Sequence, residues 1–76
     1  MSALPRVSGR EVVAALAKCG YQFDRQKGSH IILRNPNPPF RRMVVPDHKE
    51  LHTGTLRAII REAGLTVTEF IALLQR

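Results

Sequence analysis

The chain has 76 residues, 43% of them hydrophobic, with twelve Lys and Arg against six Asp and Glu, a formal charge of +6. A chain this short forms one domain and buries only about 60% of its unfolded-state surface, which excludes a large enclosed cavity and points to a shallow surface site suited to a polymer. Nine of the twelve cations are Arg, whose planar, weakly hydrated guanidinium suits phosphate, so the charge favours polyanionic partners, nucleic acid first among them. The lone Cys19 excludes an intrachain disulfide or a cysteine-based zinc site. No apolar run approaches the roughly 20 residues of a membrane span, and the start lacks the apolar region of a secretory signal. The expected location is the cytoplasm.

Residues 1–7 read as a loosely held arm, and residues 8–76 as a single domain. Ser8-Gly9-Arg10-Glu11 forms a capping box. The helix behind it places Val12, Val13, Leu16 and Cys19 on one side, and Gly20 ends it. Residues 21–25 and 29–34 read as strands, with Gln26-Lys27-Gly28 as the hairpin loop between them. Asn35-Pro36-Asn37-Pro38-Pro39 forms a turn, and residues 40–45 form a third strand closed by Pro46. Thr53 caps a second helix carrying Leu56, Ile59, Ile60 and Ala63, which ends at Gly64. Thr66-Val67-Thr68-Glu69 is another capping box, opening a third helix with Val67, Phe70, Ile71 and Leu74 inward. The fold class is α+β: a three-stranded antiparallel sheet with helices on one face, in the order α-β-β-β-α-α.

Register decides what the open face shows. A loop over residues 26–28 pairs Arg25 with Ser29, Asp24 with His30 and Phe23 with Ile31. One face then collects Tyr21, Phe23, Ile31 and Leu33 as core, and the other Gln22, Asp24, His30, Ile32 and Arg34. A two-residue loop is the alternative, which would put His30 with Phe23 and leave Asp24 beside Ile31, and a slip of one residue reverses every assignment. In the third strand, Arg42 and Val44 share one face and Met43 and Val45 the other, with neither face assigned.

His30 is the leading catalytic candidate. Histidine takes and gives protons near neutrality, which metal-free RNA cleavage requires: a base removes the 2′-hydroxyl proton and an acid protonates the leaving 5′-oxygen. Cations must offset charge on the phosphate, and Arg25, Lys27, Arg34, Arg41, Arg42 and Lys49 are candidates. Asp24, if opposite His30, would orient the imidazole. Ser29 and His48 are further auxiliary candidates. The bland reading of each is a solvated surface residue. His48 and His52 have a spacing that binds zinc on a helix, but no carboxylate stands where a metalloprotease places its base, and no metal or cofactor is expected.

Lys27-Gly28-Ser29-His30, Val45-Pro46-Asp47-His48, and Gly54-Thr55-Leu56-Arg57-Ala58-Ile59-Ile60 with Ala63-Gly64-Leu65 together resemble the HicA family of bacterial and archaeal toxins. Ser8-Gly9-Arg10-Glu11, Leu16 and Gly20-Tyr21 extend the likeness to nearly the whole chain. The resemblance implies a fold like the double-stranded-RNA-binding domain and a ribosome-independent mRNA interferase activity. It also implies one critical histidine after the Gly-Ser pair, here His30, and a HicB-type antitoxin that covers the site. The turn at residues 35–39 is richer in proline than the family pattern, and Asp24 lies outside the motif. Cleavage is expected to need no metal and to leave a 2′,3′-cyclic phosphate. Two other classes compete: a non-catalytic RNA-binding module, and an interaction module for an acidic protein. Against duplex readout, the second helix opens with His52-Thr53-Gly54-Thr55 rather than a lysine cluster.

Overall fold

A computed structural model describes residues 4–74. The elements are α1 (Gly9–Ala17), β1 (Gln22–Lys27), β2 (His30–Arg34), β3 (Arg42–Pro46), α2 (Thr53–Glu62) and α3 (Val67–Leu74). The strands form one antiparallel sheet in the order β1-β2-β3, as the hydrophobic patterning predicts. Residues 1–3 of the expected arm lie outside the described residues. Leu4 packs against the core, Val7 is buried, and the Val7 carbonyl accepts from the Leu51 N–H at 2.9 Å.

Both capping boxes form. In α1, Ser8 Oγ accepts from the Glu11 N–H at 3.1 Å and Glu11 Oε1 from the Ser8 N–H at 2.8 Å. Thr66 and Glu69 repeat the arrangement before α3 at 3.1 and 2.8 Å. Each box satisfies two amide donors that a helix start leaves unpaired. The cap of α2 differs from expectation: His52, not Thr53, holds the position, and without a side-chain bond. Gly9 opens α1 because nothing larger fits, since a Cβ there would overlap the Pro46 carbonyl. The first turn of α1 therefore abuts the end of β3.

The helices pack on one face of the sheet, chiefly against β3 and one another. A single core results, in which Phe70, Leu16, Leu33, Met43, Leu56, Val12 and Val45 are fully buried. Met43 and Val45 point inward, which settles the third strand and turns Arg42 and Val44 outward. Phe40, expected to start that strand, instead closes the preceding turn. It is 65% exposed, with a left-handed φ of 61°, and its N–H donates to the Asn37 carbonyl at 2.8 Å.

The β1–β2 register corrects the expected one. Lys27 pairs with His30, Gln26 with Ile31 and Arg25 with Ile32, whereas beyond a bulge Phe23 pairs with Leu33 and Gln22 with Arg34. The loop is the two residues Gly28 and Ser29. Gly28 has φ +57°, the positive angle that a type II′ hairpin turn demands at its first central residue. The bulge places an extra residue at Asp24, so that Arg25 stays on the outer face instead of turning into the core. Asp24 consequently does not pair with His30. Phe23 also departs from its expected core place: it shares the helix side with Leu33 but is 61% exposed, because it lies on the edge strand while the helices pack chiefly against β3.

Candidate functional site: the open sheet face and the His30 corner

On the uncovered face, β2 presents His30, Ile32 and Arg34, alternating with the buried Ile31 and Leu33. Across the ladders, Lys27 and Arg25 of β1 stand beside His30 and Ile32, and Val44 and Arg42 of β3 beside Ile32 and Arg34. The result is an apolar pair, Ile32 and the 51% exposed Val44, ringed by Arg25, Lys27, Arg34 and Arg42, with His30 at one end. Arg34 and Arg42 are directly opposed, which like charges disfavour. Asp24 offsets this repulsion: its Oδ2 accepts from Arg42 Nη2 at 3.0 Å. At the bulge, Asp24 therefore neutralises an arginine rather than orienting a histidine.

The other two cations lie elsewhere. Arg41 is on the helix side, where its Nη1 donates to the Glu62 carbonyl at 2.7 Å. There it satisfies a carbonyl that the end of α2 leaves open and complements the negative end of the helix dipole. Lys49 lines a recess with Ser8, Arg10, Asp47 and His48.

His30 occupies the corner where three motif segments meet. It pairs with Pro46, which has no N–H to give, and the next residue supplies a donor instead: the Asp47 N–H donates to the Ser29 carbonyl at 2.7 Å. His30 and His48 each follow one partner of this bond. From α1, the Gly9 N–H donates to the His48 carbonyl at 2.9 Å. Arg10 Nε and Nη2 donate to Asp47 Oδ1 and Oδ2 at 3.1 and 3.2 Å, a bidentate charge-assisted pair. Gln26 Nε2 completes the corner, donating to Asp47 Oδ2 at 3.1 Å and to the Gly28 carbonyl at 3.0 Å. The hydrogen bonds from Arg10 and then Gln26 hold the Asp47 carboxyl below the usual carboxylate range, and the nearby positive charges of Arg10 and His48 add to this. Asp47 is thus ionised wherever a histidine titrates.

Sequence reasoning singled out His30, Ser29 and His48 but missed what ties them together. Arg10 and Asp47 lay inside recognisable motifs without an assigned role, and Gln26 carried no signal. Among the described residues, no three His, Cys, Asp or Glu side chains gather as a metal site, and no helix is long and apolar enough to cross a membrane.

No curated protein matches the chain. A family model described as the HicA toxin of bacterial toxin–antitoxin systems matches residues 9–65. That span runs from the first residue of α1 past the end of α2 and includes the whole sheet and the His30 corner. The match covers well over half of the sequence, and the chain belongs to the HicA family of mRNA-cleaving toxins from bacterial toxin–antitoxin systems.

Proposed function

We propose that this toxin is a ribosome-independent, metal-independent endoribonuclease of single-stranded mRNA with His30 as its catalytic residue. The observation that carries the reading is the exposure of His30 at the end of an open cationic face, directly across from Lys27. The imidazole takes the proton from a 2′-hydroxyl, O2′ attacks the adjacent phosphorus, and the bond from phosphorus to O5′ breaks. The same imidazole, directly or through water, returns a proton to O5′. The products are a 2′,3′-cyclic phosphate and a 5′-hydroxyl. Lys27, Arg25 and Arg34 offset the charge that grows on the phosphate, and Arg42 extends the cationic track. Ser29 and His48, beside the corner, are auxiliary groups for orienting the substrate or relaying a proton, and Lys49 adds charge on the α1 side.

The same face suits a HicB-type antitoxin. Ile32 and Val44 supply apolar area at its centre and the surrounding cations attract acidic groups, an arrangement of apolar core and polar rim common in protein interfaces. An antitoxin seated there would exclude RNA from His30.

The test is cleavage of single-stranded RNA by purified protein in excess EDTA, beside a folded His30→Ala variant. The expected result is cutting by the native protein, cyclic-phosphate ends, and a variant that binds without cutting. Equal cutting by both proteins overturns the role of His30. Cleavage that needs magnesium and leaves a 3′-hydroxyl overturns the mechanism.

A further inference from the structure

We propose that Gln26, Asp47 and Arg10 form a positioning clamp that fixes the Gly28–Ser29 turn, and through it the catalytic geometry of His30. The inference rests on the ribonuclease reading above and extends it to residues on the other side of the sheet.

The clamp holds both turn carbonyls. Gln26 Nε2 donates to the Gly28 carbonyl at 3.0 Å, and the Asp47 backbone N–H donates to the Ser29 carbonyl at 2.7 Å. The Asp47 carboxylate joins these two contacts by accepting from Gln26 at 3.1 Å. Arg10 then anchors that carboxylate to the first turn of α1 through both oxygens. Three elements distant in sequence thus converge on the two residues that precede His30.

The clamp cannot act by touching substrate at the open face. Gln26 pairs with the buried Ile31 and so lies on the helix side, whereas Lys27 pairs with His30 on the outer side. Nor is the network a part of the core: Arg10 and Gln26 are exposed, Asp47 is half-buried, and none belongs to the hydrophobic cluster. A two-residue turn closed by glycine forms without side-chain ties. What the ties add is rigidity next to the one imidazole that must meet both a 2′-hydroxyl and a 5′-oxygen. Displacement of a reacting group by about 1 Å can cost about 100-fold in rate.

The experiment uses the full chain with Gln26→Met, which keeps length and removes the amide, and Asp47→Ala, with Asp47→Asn as the conservative variant. Steady-state RNA cleavage, which gives kcat and KM, and the NMR order of residues 28–30 are measured for each. Gln26→Met and Asp47→Ala are expected to lower kcat by about tenfold to 100-fold with little change in KM, and to loosen residues 28–30 while the fold persists. Asp47→Asn, which keeps an oxygen for Gln26, is expected to recover most of the rate. Native kcat in both disruptive variants, or a loss confined to KM, overturns the clamp. His30→Ala cutting as well as the native protein instead overturns the ribonuclease reading, so the two failures are distinguishable.

Discussion

At Gly9 two elementary effects oppose each other. Replacing a helical glycine by alanine gains up to about 1 kcal/mol in backbone propensity. Yet the added Cβ would overlap the Pro46 carbonyl, and overpacking against a fixed backbone costs about 1–3 kcal/mol. Packing should win, because the contact is with main chain at the end of a paired strand and the His48 carbonyl also holds the Gly9 N–H. Gly9→Ala is therefore expected to destabilise the protein by about 1–2 kcal/mol, read as a lower urea midpoint at unchanged slope. A higher midpoint would mean that α1 slides freely along β3, and would weaken the case for a rigid corner. The sequence makes His30 legible as a candidate because its chemistry is intrinsic to the residue type and its motif is local. Gln26 was not legible, since its partner Asp47 is 21 positions away and nothing in the alternation of a strand encodes so long a side-chain reach.

At the scale of elements, the helix starts could be read because a capping box is complete within four residues, and both boxes form as spaced. The strand faces could also be read: Ile31 and Leu33 turn inward and His30, Ile32 and Arg34 outward. The pairing could not, because a bulge of one residue at Asp24 leaves both faces patterned while shifting every partner near the turn. This distinction separates two arginines that look alike in sequence. Arg34 projects from the rim of the open face, whereas Arg41 is committed to the Glu62 carbonyl. Each cation bound to single-stranded phosphate adds about 0.7 to the slope of log K against log salt concentration. In a His30→Ala background, Arg34→Ala should weaken RNA binding and reduce that slope by about 0.7. Arg41→Ala should leave the slope unchanged and cost about 0.3–1 kcal/mol of stability, the usual value of a cation at a helix C-terminus. Equal changes in slope would mean that RNA wraps around the sheet edge to the helix side.

At the scale of the whole molecule, one small core supports everything. A chain of 76 residues has a net stability of roughly 4–11 kcal/mol, so a single large cavity consumes much of it. Phe70 is the largest fully buried side chain and lies in α3, beyond the span that matches the family model. Its helix packs on α1 and α2, and α1 in turn carries Arg10 to the His30 corner. The third helix was visible in the sequence from its capping box and apolar stripe, but periodicity could not reveal that Phe70 becomes the largest fully buried side chain of the core. Phe70→Ala should remove about 3–5 kcal/mol, a large share of that stability. Circular dichroism should show a broad, early thermal transition, and RNA cleavage should fall in proportion to the folded fraction, with unchanged kcat per folded molecule. A stable variant with full activity would show that the helices can close the gap left by the Phe70 ring. A stable variant with low kcat would instead mean that α3 controls the His30 corner through α1, a coupling independent of overall stability.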